Sequence, residues 1–100
     1  MEFVIDDAVL EDMAKKKRRG ISVEVATSEN SDFEVTEIYL RYVRDEFADY
    51  LVEKKNYRRF QAGTVFVLLP PYRMHYDPVV RIHFEKHWIF RRLAVTGIQL

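Results

Sequence analysis

The chain has 100 residues, 48% of them apolar and 32% charged, with three Gly, three Pro and no Cys, the size and composition of one globular domain that buries roughly two thirds of its unfolded surface. The missing thiols exclude disulfide scaffolds, thiolate nucleophiles, zinc fingers and cysteine-ligated iron–sulfur clusters together. Formal charge sums to zero, but residues 1–56 carry 9 Lys/Arg against 14 Asp/Glu and residues 57–100 carry 7 against 2. Either the two halves face one another, within the fold or across a homodimer, or the basic half offers a surface to a polyanion.

Glu2 to Ile5 reads as a short edge strand or lead-in. Asp6 or Asp7 then caps a helix in which Val9, Leu10, Met13 and Ala14 form one apolar face, ending at Gly20. The run Lys15 to Arg19 resembles a nucleic-acid patch, yet cations at a helix C-terminus also complement the macrodipole, which is the favoured reading. Ile21, Val23 and Val25 alternate with Ser22, Glu24 and Ala26 as in a strand with one buried face.

From Asp32 to Lys55, Val35, Ile38, Tyr39, Tyr42, Val43, Phe47, Tyr50 and Leu51 fit helical spacing, and Ser31 with Glu34 has capping-box spacing, so one long helix is expected there. The β-branched and aromatic content of Phe33 to Val43 argues the other way. Thr64 to Leu69 is a nearly continuous apolar run that suits a central strand covered on both faces, stopped by Pro70-Pro71. After the loop to Pro78, Val80, Ile82 and Phe84 alternate with Arg81, His83 and Glu85, and a further strand follows from Ile89 to Ile98.

The expected architecture is one α+β domain over residues 1–100. It has a mainly antiparallel sheet of four strands (Ile21 to Thr27, Thr64 to Leu69, Val79 to Lys86, Ile89 to Ile98) with two helices on one face, and helix near two fifths of the chain. The longest apolar run is far too short to span a bilayer and MEFVIDD is acidic where a signal peptide is positive. A soluble cytoplasmic protein with no membrane partner is expected.

His83, Glu85 and His87 share one strand face and, with His75 or Asp77 from the preceding loop, form the one His/carboxylate cluster able to ligate a divalent metal. Same-face neighbours lie about 6.6 Å apart along a strand, so the strand alone does not gather them around one ion; a solvated sheet face is the favoured reading and no cofactor is expected. Cations interleaved with aromatics recur in Tyr57 to Phe60, Tyr72 to Tyr76 and His87 to Arg92, the pattern that single-stranded nucleic acid needs. Within it Arg73, His75, Tyr76, Arg81 and His83 are the binding candidates, able to supply phosphate clamps and acid–base groups for RNA. The expected order, helix, strand, helix and three strands, is similar to that of RelE-like ribonuclease toxins, a likeness of topology alone.

I5-D6-D7-A8 before a helix, I21-S22-V23-E24-V25, V80-R81-I82-H83-F84-E85-K86 and L93-A94-V95-T96-G97-I98 resemble the opening and closing segments of HesB-like domains, the A-type iron–sulfur carriers and their small relatives. That resemblance implies a mostly β domain and a relative that has lost cluster binding, since the family's cluster chemistry rests on cysteines. The functional expectation is a non-enzymatic binding or assembly module, homo-oligomeric or with a protein partner. The alternatives are an RNA-binding protein or RelE-like ribonuclease, and a cysteine-less HesB-like domain.

Overall fold

The computed structural model describes residues 1–29 and 34–100. Along the chain run β1 (Glu2–Ile5), α1 (Asp7–Lys15), β2 (Gly20–Glu29), β3 (Glu34–Val43), α2 (Asp45–Lys55), β4 (Arg58–Ala62), β5 (Val65–Leu69), β6 (His75–His87) and β7 (Phe90–Gln99). They build two mixed sheets, one in the order β1-β6-β7 and one in the order β3-β2-β5-β4. The β1–β6 and β2–β5 pairs are parallel and the rest antiparallel, which corrects the single, mainly antiparallel four-stranded sheet.

Strand β5 is buried at every position, as expected of a strand covered on both faces, and its alternation divides the interior in two. Val65, Val67 and Leu69 join Val9 and Met13 of α1, Ile21 and Val23 of β2, Val80 and Ile82 of β6 and Ile98 of β7. Phe66 and Leu68 turn the other way, onto Val43 and the α2 residues Ala48 and Leu51. The two helices therefore lie on opposite faces of the four-stranded sheet rather than on one. No helix among the described residues is long and apolar enough to cross a membrane.

The long helix expected over Asp32 to Lys55 is replaced by β3 and an eleven-residue α2; positions 32 and 33 lie outside the described residues. Both periods are written in this segment. Ile38, Leu40 and Tyr42 are half-buried while Glu37, Tyr39 and Arg41 are exposed, so the period of two prevails from residue 37 to residue 42. A continuous ladder to β2, from Gly20↔Val43 to Glu29↔Glu34, gives Ile38, Tyr39, Tyr42 and Val43 a pleated surface to pack on, which an isolated helix does not supply. The helix begins at Asp45 and Glu46, which place negative charge in its first turn. The strand-rich order also departs from the one that suggested RelE-like toxins.

Helix α1 does not end on Gly20. Lys17 takes the left-handed conformation (φ 55°), with Lys17 N–H donating to Ala14 O and Arg18 N–H to Met13 O, the two bonds of a Schellman closure. Gly20 starts β2 because the Phe66 ring lies where its Cβ would be, 2.6 Å away. The basic run is held locally: Lys16 pairs with Asp12 at 3.0 Å and Arg19 with Asp45 at 2.7 Å, and Arg18 donates to two helix-end carbonyls. The acidic and basic halves meet within the fold through Asp6–Arg81 at 2.9 Å and Asp12–Arg91 at 3.5 Å.

The hairpin of β6 and β7 turns at Trp88-Ile89, where Trp88 has φ 60°. Near its other end the register jumps from Tyr76↔Ile98 to Arg81↔Thr96. The extra β6 residues there bulge against Gly97, whose φ of 97° and absent Cβ admit the Val79 carbonyl.

Candidate functional site

The antiparallel β4–β5 ladder sets Arg58 opposite Leu69, at the end of β5 where Pro70-Pro71 breaks the strand. The chain then passes Tyr72 and Arg73 and enters β6, which carries Tyr76. These segments converge on a cleft of about 390 Å³ lined by Met1, Arg58, Leu69, Pro70, Pro71, Tyr72, Arg73 and Tyr76. Leu69 and the two prolines make an apolar, conformationally fixed wall, and no carboxylate is among the lining residues.

Neither arginine has an acidic partner within 4.0 Å among the described residues, whereas Arg19, Arg41, Arg81, Arg91 and Arg92 all do. Arg58 lies 5.1 Å from the Phe60 ring centroid, which braces its guanidinium without neutralising it. Tyr72 is 57% exposed, leaving a ring face open to a planar ligand. Tyr76 is half-buried, and burial raises its hydroxyl pKa against the opposing pull of Arg58, so the hydroxyl keeps its proton and remains a donor.

Of the residues singled out from sequence, Arg73 and Tyr76 line this cleft. His75, Arg81 and His83 do not. The His75 Nε2 lies 3.9 Å from Asp77 Oδ1, Arg81 is engaged by Asp6, and His83 is half-buried with Nδ1 3.3 Å from Phe84 O. The proposed metal set fares likewise. Even with the bulge in β6, His75 pairs with Gln99 and His83 with Ala94, five residues apart on β7, so His75 is roughly 17 Å from His83 instead of folded back over it, and Glu85 pairs with Arg92 at 3.7 Å. The side chain of His87 lies outside the described residues. Among those described, no three His, Asp or Glu side chains are grouped to hold an ion.

Arg58 and Tyr72 belong to the basic-aromatic stretches legible in the sequence, but only the β4–β5 register brings them beside Arg73 and Tyr76. Two buried carboxylate networks had no clear sequence signal. Glu24, 8% exposed on the α2 face of β2, accepts hydrogen bonds from Ser22 Oγ, Arg41 and Tyr57, the last two at 3.2 and 2.6 Å. Burial and the Glu24 carboxylate together raise the Tyr57 pKa. Asp12, also 8% exposed, accepts from the Tyr42 hydroxyl at 2.8 Å besides its Lys16 and Arg91 partners. These hydrogen bonds place its carboxyl below the ordinary range, while burial and Asp12 raise Tyr42.

A larger hollow of about 480 Å³ lies beside Lys17, Arg18, Arg19 and Arg44, but Asp45 and Glu46 also line it and Arg19 is already neutralised. The cleft at Arg58 and Arg73 has the more one-sided field. No protein-family model, curated protein or solved structure matches the chain.

Proposed function

We propose that this protein is a non-enzymatic binding module for single-stranded RNA, taken up at the cleft between β4 and the start of β6. One observation carries the reading: two arginines without acidic partners and two tyrosines arrive from separate segments at one cleft with no lining carboxylate. Guanidinium forks suit phosphate oxygens, an open tyrosine face suits a splayed base, and the Tyr76 hydroxyl is a donor for a base edge or a ribose. The volume suits about one nucleotide at a time. Binding is favoured over cleavage because neither His75 nor His83 lines the cleft.

Fluorescence anisotropy of a labelled uridine oligomer tests this. Affinity should fall with salt along a log–log slope of about −1.4, about 0.7 for each of two neutralised phosphates. Arg73→Ala should flatten that slope by about 0.7, and Tyr72→Ala should weaken binding at every salt concentration. Arg81→Ala, which disturbs only the Asp6 pair, should leave the slope unchanged. Absence of binding at low salt, or a slope indifferent to Arg73, rejects the reading.

A further inference from the structure

The far end of the β6–β7 hairpin exposes Trp88, Ile89 and Phe90 at 84%, 81% and 71%. Trp88 holds a left-handed backbone conformation that a bulky side chain rarely adopts, so this turn presents three large apolar groups where a glycine or asparagine would fit with less strain. Lys86, which has no acidic partner among the described ion pairs, stands just behind them, while Arg92 is held by Glu85 at 3.7 Å. On the opposite side of the four-stranded sheet from the main core, α2 offers the complement. Phe47 and Tyr50 are exposed and stacked with centroids 5.9 Å apart, and Glu46, Asp49 and Glu53 follow one another at i, i+3 and i+7 along a single stripe. None of these three carboxylates has a basic partner among the described ion pairs.

We infer that the hairpin tip docks on the α2 face of a second copy of this chain, apolar tip on aromatic ridge and the Lys86 ammonium on the acidic stripe. Area argues that the exchange is reciprocal. At 150–250 Å² per large aromatic side chain, one tip buries on the order of 300–400 Å², about half of the roughly 800 Å² per partner of a stable interface. A two-fold pair in which each copy gives a tip and receives one reaches that area, and a two-fold contact is the commonest closed arrangement. None of the tip, ridge or stripe residues lines the cleft at Arg58 and Arg73, so this inference does not depend on RNA binding.

Trp88 is the sole tryptophan, so its emission reports its own burial. Sedimentation velocity of the full chain should show a monomer–dimer equilibrium that weakens with salt, and Trp88 emission should shift to shorter wavelength as concentration rises. Lys86→Glu and Asp49→Lys should each raise the dissociation constant about tenfold or more, and mixing the two variants should restore association, because each reversed charge then meets its opposite. Trp88→Ser should abolish it. A monomer at every concentration in low salt overturns the inference, and so does association unaffected by Trp88→Ser. Should the serine variant fail to fold, the charge-reversal mixture decides alone: association without rescue on mixing rejects the tip-to-helix pairing.

Discussion

The Tyr57 hydroxyl donates to Glu24 Oε2 at 2.6 Å, joining the residue that follows the left-handed Asn56 cap of α2 to the middle of β2. Through this bond the helix end, the central strand and Arg41 of β3 share one nearly buried carboxylate. Tyr57→Phe removes one donor and leaves Glu24 short of a partner, at a cost of about 1–3 kcal/mol. Urea unfolding checks this, with Tyr72→Phe, at an exposed position, expected within about 0.5 kcal/mol of the parent.

The Asp12 carboxyl titrates below its ordinary value because Lys16 and Tyr42 donate to its charged form. Its folded pKa is thus lower than its unfolded one, and on acidification the unfolded chain takes up the proton first. The stability that Asp12 contributes is complete above about pH 4 and is lost as pH falls through the folded value. Asp12→Asn should be less stable at neutral pH and lose less on going to pH about 2. Parallel acid limbs for parent and variant would contradict this assignment.

Two glycines with positive φ separate conformational strain from steric conflict. Gly63 has φ 68° and open space around it, while at Gly97 (φ 97°) an added Cβ would sit 2.7 Å from the Val79 carbonyl oxygen. Gly63→Ala should cost about 1 kcal/mol. Gly97→Ala should cost clearly more, since backbone at the β6 bulge must move. Thermal unfolding resolves the two, each kcal/mol lowering the midpoint of a domain this size by about 4–8 °C.

Trp88 contributes little to the core at 84% exposure and occupies a left-handed position. Trp88→Asn should therefore raise stability by about 1 kcal/mol while removing self-association. A gain in midpoint temperature accompanied by loss of the dimer is the expected pair of outcomes; a loss of stability would show that the indole packs in the monomer.

Local pattern sufficed where one period dominated. β5 is apolar at every position, β6 alternates cleanly through Val80, Ile82 and Phe84, and α1 has Val9 and Met13 on one face; each was legible. The segment from Val35 to Val43 was not, because Ile38, Tyr39 and Tyr42 satisfy helical spacing while Ile38, Leu40 and Tyr42 satisfy strand spacing. The choice fell to a ladder with β2 that no local window contains. The site was half legible for the same reason. Arg73 and Tyr76 stand in an evident basic-aromatic stretch, but Arg58 joins them only through its pairing with Leu69. His75, Arg81 and His83 share that richness and are spread along one extended strand.

Parallel pairing of β1 with β6, Glu2 beside Val79 through Ile5 beside Ile82, bears on the order in which a growing chain can fold. Every other strand pair is complete within one half of the sequence or links elements much closer together, whereas this one closes nearly the whole chain and bears the largest loop-closure entropy. During synthesis the first strand has no partner until residues 79–82 have emerged. Until then Val9 and Met13 of α1, which share a core with Val80 and Ile82, lack part of the surface that buries them. The hairpin that supplies this surface is thus also the element whose arrival completes the core begun by α1.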